Sequence, residues 1–170
     1  LKAWYPCTEG NPRSPQTTIY DGSGGGNHGT TTFYGDELWD SAASVFTSGT
    51  YSWAVQGSNT IDNVSNTLAI TYVDDDAGAI VYLRDSDDLS TDLTVGRTYQ
   101  LKVDAKYAGG SAPQLRLYDQ VTHHYSGALT TSMATYTFNF TANHITNCYL
   151  RCHGMGASNV VTIDNLSLKE

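Results

Sequence analysis

The sequence predicts an all-β protein, an antiparallel β-sandwich of the jelly-roll kind preceded by an extended N-terminal arm. Three observations predict it. Apolar and polar residues alternate in run after run, Gly, Asn, Asp and Ser punctuate those runs, and no segment carries a helical period. Composition agrees: twelve Tyr, three Trp and four Phe stand in a chain with only 15% charged residues. Such residues suit a pleated, half-buried surface. At 170 residues the chain fits one domain plus an extension and is long enough to bury a core.

Residues 1–36 are the arm. They hold three of the four prolines and the dense GSGGGNHG cluster. No sustained period runs through them, so a long loop with one or two short strands is expected. The sandwich then occupies residues 37–170. Its first apolar stretch, ELWDSAASVFTSGTYSWAV, is expected to open the sandwich, with Trp53 in the core. TLAITYV places Leu68, Ile70 and Tyr72 on one face, and AIVYLR (79–84) is apolar on both, as a central strand would be.

TYQLKVDAKY puts Tyr99, Leu101, Val103, Ala105 and Tyr107 on one side, against Gln100, Lys102, Asp104 and Lys106. QLRLYD turns Leu115 and Leu117 inward, and His123, His124 and Tyr125 follow in an expected loop. ATYTFNFT aligns Tyr136, Phe138 and Phe140. NCYLRCH and VVTIDNLSL close the series. Turns are expected at Gly57-Ser58, Asp74–Gly78, Val95-Gly96, Gly109-Gly110, His144–Asn147 and Gly154–Asn159. Several short strands with frequent turns describe a sandwich.

Charge and cysteines exclude other classes. A formal net charge of −8 without a basic stripe argues against nucleic acid and against an anionic membrane surface. No apolar run approaches membrane-spanning length, and no signal-peptide pattern opens the chain. A start at Leu1 rather than Met is expected of a processed chain or a fragment. Of the three cysteines, Cys148 and Cys152 share a strand face with Leu150, too far apart along one strand to bridge, and read as small buried hydrophobes.

The order of FTSGTYSW (46–53), GRTYQLKVDAK (96–106) and TIDNLSL (162–168) resembles the jelly-roll carbohydrate-binding modules of xylanases and cellulases, within the broader galactose-binding-like sandwiches. The arm, LKAWYPCTEG followed by TTIYDGSGGGNHGTTTFYG, resembles the opening of laminin-G-like sandwiches. Such combinations look like those in structural proteins of tailed bacteriophages. The first resemblance implies a structural calcium ion held by the acidic residue of the last strand, here Asp164, with backbone carbonyls near the opening strand. Glu37, Asp40 or carbonyls around Trp39 and Gly57 are the expected partners, and Thr47 stands where that family often has an acid. Calcium takes six to eight oxygen ligands, which carboxylates and carbonyls supply. The alternative for Asp164 is a carboxylate capping loop amides.

A sugar site needs aromatic rings to stack on apolar sugar faces and planar polar groups to fix hydroxyls. Arg116 and Tyr118 on one strand, and Tyr149, Arg151 and His153 on another, would form such a patch if the two strands are neighbours. An ordinary solvated sheet face is the alternative. The acidic clusters at 74–76 and 85–88 read as solvated turns, because DSDDLSTD lacks the glycine and terminal Glu of a calcium loop. No nucleophile elbow, phosphate loop or zinc spacing appears, so no catalysis is expected.

The resulting expectation is a non-catalytic, carbohydrate-binding-like module on a phage virion or similar surface assembly, as a decoration, tail or fibre protein. Its partners would be a glycan or cell-surface polysaccharide and further copies of itself or other virion proteins, on the virion surface or outside the cell. Two alternatives stand beside it. One is a purely structural virion or fibre subunit assembling through the arm. The other is the accessory glycan-binding module of a secreted polysaccharide-degrading enzyme.

Overall fold

The computed structural model describes residues 35–170, together with the backbone of β1 (Thr18–Ile19) and β2 (Gly29–Thr30), which pair antiparallel. Most of the laminin-G-like opening and of the glycine cluster, together with Cys7, lies outside the described residues. A one-turn helix, α1 (Ser41–Ser44), follows the arm. Ten strands come next: β3 (Ala54–Val55), β4 (Thr60–Asn63), β5 (Leu68–Thr71), β6 (Ala79–Tyr82), β7 (Thr98–Ala108), β8 (Gln114–Tyr118), β9 (His123–Ala128), β10 (Ala134–Thr141), β11 (Tyr149–His153) and β12 (Val160–Lys169).

These ten form two five-stranded antiparallel sheets, ordered β10-β7-β12-β5-β4 and β3-β6-β11-β8-β9. The sandwich expected from alternation is therefore present. Leu68, Ile70, Leu101, Val103, Phe138, Phe140, Val161 and Ile163 point inward from the first sheet and are fully or almost fully buried. Val81, Leu115, Leu117, Leu150 and Cys152 meet them from the second. Each fully buried side chain of this size contributes roughly 1.5–3 kcal/mol of burial free energy. Cys148 and Cys152 are both free and buried, and burial pushes the Cys152 thiol pKa up to about 12.

The chain's closing run answers a question of phase. Ile163 and Leu166 both belong to the core although they are three positions apart, an odd spacing for a strand. The register shift between Asp164 and Ser167 against β7 supplies the reason: one extra residue is inserted there. Asn165, at φ 48°, takes the left-handed conformation that Asn tolerates better than most residues. With Asp164 and Asn165 both turned outward, Leu166 and Leu168 return to the core. The Asp-Asn pair is a β-bulge that resets alternation.

Two expectations are corrected. FTSGTYSW is not a strand but a set of turns after α1, with Phe46 at φ 47° and Tyr51 at φ 51°; Phe46 and Trp53 are nonetheless buried in the core. His123, His124 and Tyr125 are not in a loop. They form the start of edge strand β9, paired with β8. Asp119 builds the turn between them, its Oδ1 accepting the N–H of Val121 and Thr122 at 2.8 and 2.6 Å. β9 evades a hydrophobic-period reading because its side chains are His, Tyr, Ser and Gly, with no apolar face to mark it.

Candidate functional site

Strand register brings the expected patch together. Across β11 and β8, Tyr149 stands opposite Tyr118, Arg151 opposite Arg116, and His153 opposite Gln114. All five candidate side chains, Arg116, Tyr118, Tyr149, Arg151 and His153, thus share the sheet face turned away from Leu115, Leu117, Leu150 and Cys152. The face is wider than the sequence suggested. Tyr82 of β6 pairs with Tyr149 and Ile80 with Arg151, while His123 of β9 pairs with Tyr118 and Tyr125 with Arg116. Two rows result, Tyr82–Tyr149–Tyr118–His123 and Ile80–Arg151–Arg116–Tyr125.

The first row is a run of touching rings. Centroids are 5.8 Å apart for Tyr82–Tyr149, 5.4 Å for Tyr118–Tyr149 and 4.4 Å for Tyr118–His123. The Tyr118 hydroxyl donates to the Gln120 carbonyl at 3.0 Å, and the Arg84 guanidinium, itself 3.0 Å from Asp87, lies over the Tyr82 ring. Beside this row the Tyr125 ring, 47% exposed, crosses β8 to reach the His153 ring at 5.3 Å. Rings held against one another lose little further freedom on binding, which favours a stacked ligand.

Charge on this face is positive at Arg116 and Arg151, with no ion-pair partner for either among the described residues. The Nε atoms of Arg116 and Arg151 and the Nδ1 of His153 are buried without a hydrogen-bond partner among the described residues. His153 has only Asp76 at 3.6 Å. Burial, together with the charges of Arg116 and Arg151, holds the His123 pKa below the usual histidine range. The one buried carboxylate at the rim, Asp119, faces the other way and binds His124 Nε2 at 2.8 Å. Its burial raises the carboxyl pKa, but hydrogen bonds from His124, Thr122 and Val121 outweigh that and leave the value low.

The carboxylates expected to share calcium hold three separate positions. Glu37 Oε1 accepts the N–H of Trp39 at 3.1 Å and of Leu168 at 2.6 Å, and its Oε2 accepts the Ser167 hydroxyl. Asp40 caps α1, with Oδ1 accepting from Ala42 and Ala43. Asp164 accepts the Asn165 N–H in the bulge, opposite Asp104. Among the described residues no three His, Cys, Asp or Glu side chains group as a metal cluster. With Glu37 and Asp40 occupied by N–H and O–H donors, this donor set does not fit one shared ion. The acidic turns differ from expectation in one respect: Asp88 is buried rather than solvated, accepting the Ser52 N–H.

The opposite sheet offers a contrasting surface. A shallow groove of about 530 Å³ there is lined by residues such as Thr67, Ala69, Thr71, Lys106, Val160 and Thr162, with no aromatic ring or arginine. Aromatic and guanidinium groups concentrate on the β3-β6-β11-β8-β9 sheet.

Comparison with solved structures matches the architecture. The CBM22-1 xylan-binding domain of Xyn10C from Paenibacillus barcinonensis superposes with a TM-score of 0.60 at 15% identity, covering 82% of this chain and 97% of that one. The chain has the jelly-roll fold of carbohydrate-binding modules. Similar too are the CBM22-1 and GH10 modules of Clostridium thermocellum xylanase 10B complexed with xylohexaose, with a TM-score of 0.56 at 13% identity over 79% of this chain and 28% of that one. A CBM29-2 mutant complexed with mannohexaose gives a TM-score of 0.51 at 11% identity, covering 82% and 92%. No family model and no curated protein sequence matches the chain.

Tyr82, His123 and Tyr125 are the ring-bearing members of the face that sequence reading missed. Tyr82 lay in a run read as apolar on both faces, and the two β9 residues in a run read as a loop. Alternation in HHYSGA was the available signal: His123 and Tyr125 are spaced to share one face.

Proposed function

We propose that residues 37–170 form a non-catalytic glycan-binding module whose binding surface is the Tyr82–Tyr149–Tyr118–His123 row with the arginines beside it. The observation that carries this reading is the continuous ring row on one outer sheet face. Flat rings in contact can stack on the apolar faces of successive sugars, and guanidinium groups can fix their hydroxyls or substituents. The fold neighbours support the reading, since they are named as polysaccharide-binding modules.

The favoured setting is an accessory module of a polysaccharide-degrading enzyme, because several neighbours are xylanase modules. Display on a phage virion drew on the arm, residues 1–36, and on its combination with the sandwich; most of that arm lies outside the described residues. Binding is tested by affinity electrophoresis in soluble xylan, glucomannan, polygalacturonate and alginate. The wild type is expected to be retarded by at least one of them, and Tyr118→Ala and Tyr149→Ala to migrate freely while keeping the wild-type circular dichroism spectrum. Equal retardation of wild type and both variants would remove this face from the reading.

A further inference from the structure

We propose that this face selects an acidic glycan, one whose sugars carry carboxylate or sulfate groups that dock between Arg116 and Arg151. The inference rests on the glycan-binding reading above and names the ligand class. It starts from four arginines among residues 35–170. Arg84 and Arg97 hold Asp87 and Glu170 at 3.0 Å each. Among the described residues no carboxylate lies within ion-pair distance of Arg116 or Arg151, although acids outnumber bases in the chain, 17 to 9. They stand opposite each other in register, an arrangement of like charges that destabilises a sheet by itself.

Burial strengthens the case. Arg116 is only 9% exposed, and each of the two side chains buries an Nε that no acceptor among the described residues reaches. A buried charged donor without a partner costs free energy that an incoming anion recovers. The guanidinium fork matches the planar geometry of a carboxylate and also suits a sulfate. His153 Nδ1 and the Tyr125 ring border the same spot, so a charged substituent can dock there while its sugar ring meets an aromatic face. A neutral glycan leaves both guanidinium groups without an opposite charge. Long-range repulsion by the net charge of −8 is limited, since at physiological ionic strength the Debye length is about 8 Å.

The test is calorimetric titration of the whole chain with matched probes: polygalacturonate, the same polymer with its carboxylates reduced to alcohols, heparin, and xylohexaose. Polygalacturonate or heparin is expected to bind at least about tenfold more tightly than the neutral probes, and to weaken as sodium chloride rises from low to high concentration. Preference for polygalacturonate names a carboxylate ligand, and preference for heparin a sulfate. Arg151→Gln and Arg116→Met should each remove that preference while leaving the circular dichroism spectrum unchanged. Should Arg116→Met fail to fold, Arg151→Gln and the carboxyl-reduced polymer still decide the matter. Equal or tighter binding of the neutral probes would overturn the acidic preference and keep the module reading. Binding of none of the probes would overturn both.

Discussion

Arg116 and Arg151 stand directly opposite each other on β8 and β11, each with a buried Nε that no acceptor among the described residues reaches. Paired like charges weaken a sheet, so the free protein is expected to gain stability when one is removed. Arg151→Gln should melt about 1–2 °C higher at low salt, corresponding to roughly 0.5 kcal/mol. A lower melting temperature would mean that packing of the Arg151 stem outweighs the repulsion.

The same pair controls His123. Its folded pKa lies below the usual value through burial and the charges of Arg116 and Arg151, with His153 adding to the effect and Asp119 opposing it. A depressed folded pKa means that stability is highest above the unfolded value, about 6.5, and falls as pH drops through the folded one. Arg151→Gln should raise the His123 midpoint in an NMR titration. An unmoved midpoint would show that the Arg151 charge does not contribute.

Asn159 latches two turns, at 109–111 and 154–159, with one fully buried side-chain amide. Its Nδ2 donates to the carbonyls of Gly109 and Ser111, and its Oδ1 accepts the Gly156 N–H at 2.8 Å. Gly109, at φ +68°, has no room for a Cβ beside the Ser158 carbonyl, so the close approach depends on both residues. Asn159→Ala leaves three part-buried backbone groups without this partner and should cost about 2–4 kcal/mol, lowering the melting temperature by roughly 5–10 °C. Denaturant unfolding of this variant and of Gly109→Ala checks the latch; wild-type midpoints for both would refute it.

Asp88 carries an acid dependence of the opposite sign. Burial raises its pKa, only partly offset by hydrogen bonds from Ser52. A raised folded pKa gives stability that is present below the unfolded value, about 3.9, and lost as pH rises through the folded one. Asp88→Asn keeps an acceptor for the Ser52 N–H and removes the buried charge. It should melt above wild type at pH 7, with the difference closing toward pH 3. A constant difference across that range would point to packing instead of charge.

Glu37 joins the start of the sandwich to its last strand by accepting from Trp39, Ser167 and Leu168. Because donors already fill this carboxylate, the melting temperature is expected to be the same in calcium and in chelator, whereas Glu37→Ala should lower it in both. A rise in calcium that Asp164→Ala abolishes would restore a structural ion at this junction.

How far the sequence could be read depends on the kind of residue. Alternation in TYQLKVDAKY and ATYTFNFT placed the right side chains inward because two-residue periodicity is a local property of an extended chain. It failed for FTSGTYSW, whose left-handed Phe46 and Tyr51 break the period while still burying their rings in part or whole. It failed again for β9, an edge strand whose partner, not its own hydrophobicity, makes it a strand. Arg116, Tyr118, Tyr149, Arg151 and His153 could be assigned to outward positions of their strands. That those strands adjoin could not.

The sequence by itself determined an all-β sandwich, six of its turns, an acidic chain and two strands bearing aromatic and guanidinium side chains. Only tertiary structure decided that β11 lies between β6 and β8, that β9 extends the same sheet, and that the Asp164-Asn165 pair is a bulge. Outward direction follows from local backbone geometry. Neighbourhood follows from pairing segments far apart in the chain, which the packing of the whole core selects.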